Sequence, residues 1–237
     1  MIWVGTSGYN YPEWRGSFYP EGFPTADMLP FYAQRFTTVE INFTSYHFPT
    51  EKSLRGWAAA TPADFKFALK VPRWITFGPT AFRAAGPLRS FTELATLLGE
   101  KLGSILLQLP EGFPHRAGLL EALLPAVPSN VASAIEIRHA SWHRDDVFEL
   151  LRQHHVGVCI SDSEELTTPV VATANIAYFR LRNEGYSAAD LRAWAEQVRV
   201  LSQRCQEVFV YFKHEATGSG PRFACLLLEQ LSAAAGG

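Results

Sequence analysis

The chain is expected to fold as an α/β protein, a single parallel (β/α)8 barrel spanning residues 1–237. Three observations predict this. Eight strand-like runs alternate with stretches of helical periodicity. Two of those runs, Thr38-Val39-Glu40-Ile41-Asn42 and Ala134-Ile135-Glu136-Ile137-Arg138, hold a carboxylate opposite a β-branched apolar face. The length of 237 residues suits one barrel, and no linker-like tract divides it.

The strand-like runs lie near residues 2–6, 37–43, 65–71, 104–109, 132–138, 156–161, 175–181 and 207–213. The clearest helix runs from Ser187 to Cys205, with Ser187 as N-cap and Leu191, Trp194, Ala195, Val198 and Leu201 on one face. Ser90 is expected to cap another helix, with Phe91, Leu94, Leu97 and Leu98 on its apolar side. Pro221 opens a third, ahead of Phe223, Leu226 and Leu227. Residues 145–154 and 116–124 also read as helices, and 164–171 as a short, weak one. Pro- and Gly-rich stretches at 8–24 and 72–87 follow strands 1 and 3, where a barrel carries its catalytic loops. A doubly wound open sheet would want Gly-x-Gly-x-x-Gly after strand 1, and Gly5-Thr6-Ser7-Gly8-Tyr9-Asn10 lacks that spacing.

Composition narrows the function classes. A hydrophobic fraction of 47% provides for a large core, and a formal net charge of −2 argues against a generally basic nucleic-acid binder. No apolar run reaches membrane-spanning length, and the chain opens directly on a strand without a basic leader. Cys159, Cys205 and Cys225 are few and widely spaced, which fits reduced thiols in a cytoplasmic protein.

Alternation along the strands then sorts side chains. If the uniformly apolar face is covered by helices, the opposite face turns into the barrel. That inward set is Glu40, Asn42, Lys70, Gln108, Glu136, Arg138, Tyr178, Arg180, Arg182, Tyr211 and Lys213. Five cations face two carboxylates, a surplus that favours an anionic ligand. A mutually satisfied internal ion network is the competing structural reading.

Beyond the strands, His139 suits acid–base work at the rim or a role in fixing its loop. Asp162, at the end of strand 6, could be a base, a metal ligand or a helix N-cap. Glu40, Glu136, His139, Asp162 and His214 could conceivably hold a divalent ion, but no ligand-type spacing is present, so no metal or cofactor is assigned. Among the many loop aromatics, Trp14 and Trp142 stand beside polar rim residues and are the rings expected to stack on a ligand.

These motifs carry a family resemblance. Gly5-Thr6-Ser7-Gly8-Tyr9-x-Tyr11-x-x-Trp14-x-Gly16-x-Phe18-Tyr19-Pro20, Tyr32-Ala33-x-x-Phe36-x-x-Val39-Glu40-Ile41-Asn42, Phe65-x-Phe67-x-x-Lys70, Leu107-Gln108-Leu109-Pro110 and Glu136-x-Arg138-His139-x-Ser141-Trp142 together resemble the domain-of-unknown-function-72, or YecE-like, family. The resemblance runs on through Tyr178-x-Arg180-Leu181 and Val210-Tyr211-Phe212. It implies a TIM-barrel-like fold and brings no settled activity. The chain departs from the family pattern at Phe43-Thr44-Ser45-Tyr46, Thr76-Phe77 and Lys213-His214.

The sequence therefore suggests an enzyme, a hydrolase or phosphoesterase, acting on a phosphorylated or nucleotide-like ligand at the carboxyl-terminal mouth. Glu40, Glu136, His139 and Asp162 are the catalytic candidates. Asn42, Lys70, Gln108, Arg138, Trp142, Tyr178, Arg180, Arg182, Tyr211, Lys213 and Trp14 are the binding candidates. The alternative is a non-catalytic barrel that holds a nucleic-acid end or a partner. Neither membrane association nor an obligate protein partner is expected.

Overall fold

In a computed structural model, which describes residues 1–77, 81, 83–213 and 218–233, eight strands close into a parallel barrel. They are β1 (Ile2–Ser7), β2 (Thr38–Ile41), β3 (Lys66–Lys70), β4 (Leu102–Gln108), β5 (Ser133–Glu136), β6 (Gly157–Asp162), β7 (Ile176–Leu181) and β8 (Glu207–Phe212). Each pairs with its sequence neighbour, and β8 closes on β1 in a register running from Ile2 opposite Val208 to Thr6 opposite Phe212. The helices are α1 (Met28–Ala33), α2 (Glu51–Ala59), α3 (Arg73–Thr76), α4 (Ala85–Ala95), α5 (Leu119–Leu123), α6 (Asp145–Gln153), α7 (Ala188–Ser202) and α8 (Ser219–Ala233). His214, the remaining metal-ligand candidate, lies outside the described residues.

The alternation expected from sequence is what separates the two cores. Val39, Ile41, Phe67, Leu69, Ile105, Leu107, Ile135, Phe179, Val208 and Val210 point outward and pack with the helices. Trp3, Ala68, Leu106, Ala134, Cys159, Ile176, Tyr178, Phe209 and Tyr211 fill the lumen as a second apolar cluster. Trp3 stacks on Phe209 at 6.5 Å and Tyr178 lies 5.3 Å from Tyr211, so the barrel is plugged beneath its mouth.

Local chemistry explains the helix ends. Ser187 caps α7 as expected, accepting from the Asp190 N–H while the Asp190 carboxylate accepts from the Ser187 N–H. Three expectations need correction. Ser90 does not start a helix, because α4 begins at Ala85 and Ser90 is in its middle. Pro87 sits in the first turn, where a missing N–H leaves no acceptor unsatisfied. The helix expected over 116–124 is shortened to α5, and Pro125 turns its end into a 3-10 segment, Leu124–Ala126. No helix forms over 164–171. Ser163 and Leu166 close a turn on each other, and Thr167 bridges back to Asp162.

Gly5 marks the closest approach of β1 to its surroundings. A Cβ there would stand 2.2 Å from the Thr38 carbonyl oxygen and 2.9 Å from the Tyr32 hydroxyl. The same hydroxyl accepts from the Thr6 N–H at 2.8 Å and donates to the Thr38 carbonyl at 3.0 Å, tying α1 to both strands. Gly5→Ala is therefore expected to destabilise the barrel by about 3 kcal/mol, the upper end of ordinary overpacking costs. Urea unfolding would detect this, and an unchanged midpoint would mean the strand moves aside freely.

Candidate functional site

The carboxyl ends of β2, β5 and β7 deliver three fully buried ionic side chains to the centre of the barrel. Arg180 Nη2 donates to Glu40 Oε1 at 3.0 Å, and its Nη1 donates to Glu136 Oε2 at 2.6 Å. The remaining acceptor positions are taken. Glu40 Oε2 accepts from the Tyr178 hydroxyl at 2.6 Å, and Ser7 Oγ donates to Glu40 Oε1. Glu136 Oε1 accepts from Ser161 Oγ at 3.3 Å and stands 3.1 Å from Arg138 Nε in ion-pair contact. Asn42 Nδ2 donates to Ser7 Oγ at 2.9 Å and closes the network toward the rim.

Electrostatics follow from this geometry. Burial by itself pushes the Glu136 carboxyl up, but Arg180 and then Arg138 outweigh it and hold the group at about 2. Glu40 is likewise held below its ordinary value, with Arg180 and Lys70 overcoming its burial. Both acids are therefore carboxylates at neutral pH, fully engaged as acceptors.

Lys70 is the opposite case. It ends β3 facing inward and is nearly buried, yet its ammonium makes no hydrogen bond or ion pair among the described residues. Burial lowers its pKa first and Arg180 adds to that; Glu40 and Glu136 oppose the shift, and Lys213 reinforces it, leaving the group at about 7.

Arg138 pairs outward with Glu111 at 2.9 Å, across a rim where Glu111 is largely exposed. Arg182 is half-buried, and burial followed by Arg138 lowers its pKa. The Nε atoms of Arg138, Arg180 and Arg182 are buried without a hydrogen-bond partner among the described residues. Lys70, Gln108, Arg138, Arg182 and Lys213 thus follow Glu40, Glu136 and Arg180 toward the mouth, as strand alternation predicts.

Other expected residues lie elsewhere. Tyr178 and Tyr211 face inward but are fully buried, the first bonded to Glu40 and the second at 2.7 Å from Thr38 Oγ1. Trp14 is buried in the aromatic packing of the first loop, 4.9 Å from Tyr11 and 5.9 Å from Phe18. Trp142 is also buried, its indole N–H donating to the Phe113 carbonyl at 2.8 Å. Neither tryptophan is presented for stacking, because each finds apolar cover in its own loop; among the described residues the exposed large aromatic rings are Phe43, Tyr46 and Trp74. His139 Nδ1 accepts from the Ser141 N–H at 3.2 Å, so it caps the turn Ala140–Trp142. Asp162 points away from the lumen and accepts from Thr167, Asn183 and the Tyr186 hydroxyl, fastening two loops. Among the described residues no group of three or more His, Cys, Asp or Glu gathers as a metal site.

Ser7, Ser161 and Glu111 join the site without having been expected. Parity carries the signal for two of them, since Ser7 shares the inward face of Trp3 and Gly5, and Ser161 that of Cys159. Glu111 lies in a loop, where no periodicity reports direction.

Comparison with known proteins agrees with the fold. The family pattern described as "Protein of unknown function DUF72" matches residues 3–237. UPF0759 protein YecE of Escherichia coli K12 is 28% identical over 143 residues, 60% of this chain and about half the length of that relative. UPF0759 protein YunF of Bacillus subtilis is 21% identical, over 98% of this chain and 95% of its own. Among solved structures, a DUF72 family protein from Thermotoga maritima superposes with a TM-score of 0.85 at 28% identity, covering 98% of this chain and 99% of its own. One from Enterococcus faecalis gives 0.78 at 20% identity, over 98% and 96% of the two chains, and so shows the fold alone.

The ion network generates two predictions. Arg180→Met leaves two buried carboxylates unpaired and is expected to cost about 3–5 kcal/mol, whereas adding Glu40→Gln and Glu136→Gln to it recovers much of that loss. Urea unfolding at pH 7 compares the variants; a triple variant no more stable than the single one would refute the charge explanation. The folded-state value of Glu136 lies below its ordinary one, so its contribution is complete above about 4.5 and is lost as pH falls toward about 2. Unfolding midpoints measured across that window should fall more steeply for the wild type than for Glu136→Gln.

Proposed function

The chain belongs to the DUF72 family of proteins of unknown function, and from its barrel mouth we propose an enzyme that binds a small anionic molecule, phosphorylated or carboxylated, and acts on it there. The observation that carries this reading is charge. Arg180 is consumed by Glu40 and Glu136, while Lys70, Arg138, Arg182 and Lys213 ring the same mouth with Glu111 as the rim carboxylate. Clustered, partly desolvated cations focus field on an incoming anion. The guanidinium of Arg182, half-buried with its Nε lacking a hydrogen-bond partner among the described residues, can offer it charge-assisted hydrogen bonds. The position at the carboxyl ends of parallel strands is where such barrels do chemistry.

The same geometry argues against Glu40 and Glu136 as the proton carriers of a hydrolase, because a carboxyl held far below neutrality is a poor base and is never the acid at pH 7. Their role in this reading is to orient Arg180 and shape the floor of the pocket. Acid–base work passes to Lys70, whose value lies near neutrality.

A second reading, a barrel that holds a nucleic-acid end without chemistry, draws on the exposed rings of Phe43, Tyr46 and Trp74 beside exposed Arg73. Tight binding of single-stranded oligonucleotide, abolished by Tyr46→Ala with Trp74→Ala, would favour it over a small-molecule enzyme. Among the described residues no helix is long and apolar enough to cross a membrane. The free thiols of Cys159, Cys205 and Cys225 support a reducing, cytoplasmic compartment as part of the proposal.

Sulfate is expected to raise the melting temperature of the wild type at constant ionic strength, by mass action worth about 2.7 kcal/mol at one hundred times the dissociation constant. Arg138→Gln with Arg182→Gln is the control, its unfolding midpoint without sulfate measured first because Arg138 also pairs with Glu136. Equal shifts in the two proteins would remove the anion pocket from consideration.

A further inference from the structure

We propose that the Lys70 amine is a nucleophile that captures the carbonyl carbon of an anionic aldehyde or ketone as an imine. The proposal rests on the anion-binding reading of the mouth and adds the electrophile. Five lysines are present in the chain. Lys66 donates to the Glu100 carbonyl at 2.6 Å, and Lys101 donates to the carbonyls of Ala58 and Thr61 at 2.5 and 2.7 Å. Lys52 is exposed on α2, and Lys213 stands at the rim after β8. Lys70 alone ends a strand facing into the mouth, in register with inward Leu106 and above inward Ala68.

Burial first, and then the four charges around it, explain why its proton is held less tightly than an ordinary lysine's. Glu40 on β2 and Glu136 on β5 would retain the proton, but both are committed to Arg180. Arg180 on β7 and Lys213 beyond β8 repel it, and burial penalises the charge further. At pH 7 the neutral and charged forms are therefore both populated, and no hydrogen bond among the described residues occupies the amine. A desolvated lysine beside another cation is the arrangement that activates amines toward carbonyls. No comparable freedom exists for the carboxylates, every oxygen of which is already an acceptor.

The step is redox-neutral and balances with solvent as proton source. The Lys70 nitrogen lone pair forms a bond to the carbonyl carbon; the nitrogen then releases a proton to solvent as the carbonyl oxygen takes one up, giving a neutral carbinolamine. The nitrogen then expels that hydroxyl as water, with one further proton, to leave an iminium ion. Arg138 and Arg182 hold the phosphate or carboxylate of the same molecule at the rim.

Trapping tests this on the whole protein. The chain is incubated at pH 7 with glyoxylate, glycolaldehyde phosphate or uncharged propanal, each with cyanoborohydride to reduce any imine, and the modified lysines are mapped by peptide mass. Lys70 is expected to label at least about tenfold faster than Lys52, Lys66 or Lys101, and faster with the two anionic aldehydes than with propanal. The better of glyoxylate and glycolaldehyde phosphate reports whether a carboxylate or a phosphate is preferred. The rate at Lys70 should rise with pH to a plateau just above about 7.

Labelling spread over the exposed lysines with none at Lys70 overturns the nucleophile, and the sulfate melting shift then still stands on its own. Selective labelling of Lys70 that ignores ligand charge and is unaffected by sulfate overturns the anionic substrate class, and with it the reading of the mouth. Because the wild type supplies these readouts, Lys70→Met serves only to confirm the peptide assignment.

Discussion

Arg180 is the side chain around which the upper half of the barrel is organised. Its planar fork reaches two carboxylates on strands that never pair with its own, and so fastens β7 to β2 and β5 across the lumen. Neither glutamate could remain ionised at full burial without it, since the desolvation cost of an isolated carboxylate is several kcal/mol. Ser7, Ser161 and Tyr178 supply the remaining donors. The network fixes geometry at the level where chemistry would occur, and below it the lumen is closed by Trp3, Phe209, Tyr178 and Tyr211. Replacing such a buried triad with apolar residues is often neutral for stability, so its retention is better understood as setting orientation and charge than as strengthening the fold.

That commitment has electrical consequences for everything above it. Two buried negative charges are shared between Arg180 and Arg138, and Arg138 also reaches outward to Glu111 at the rim. Lys70 sits between the two layers. It is close enough to Arg180 to be pushed toward neutrality and far enough from either carboxylate to form no ion pair. One fixed arginine thus produces both an anion-attracting mouth and an amine that does not hold its proton tightly at neutral pH.

The loops use their aromatic residues in a different way. The first loop packs Tyr11, Trp14, Phe18 and Tyr19 against one another and against α1, through Phe31 and Tyr32. This rigid cushion holds the Ser7 end of β1 and, through the Tyr11 hydroxyl at 3.0 Å from the Ser7 carbonyl, the edge of the network. Asp162 does comparable work on the far side by holding the β6 and β7 loops together. The fold relatives keep the same barrel at 20–28% identity, which is consistent with architecture being set by the alternation pattern more than by particular residues.

Sequence alone determined the barrel, its eight strands and the inward set, because a period of two is a local property of an extended backbone. Glu40, Lys70, Glu136, Arg138 and Arg180 could be assigned a face without knowing any partner, and Ser187 as N-cap ahead of the apolar face from Leu191 to Leu201 announced α7. Direction along loops has no such period. Nothing local distinguishes Trp14 and Trp142 as packing residues, Asp162 as a loop fastener, or 164–171 as a turn rather than a helix. Tertiary structure alone decided that Arg180, and not Arg138 or Arg182, lies between the two glutamates. That choice depends on strand stagger across a closed lumen, bringing together residues 44 and 140 positions apart, and with it went the pairing that leaves Lys70 without a partner among the described residues.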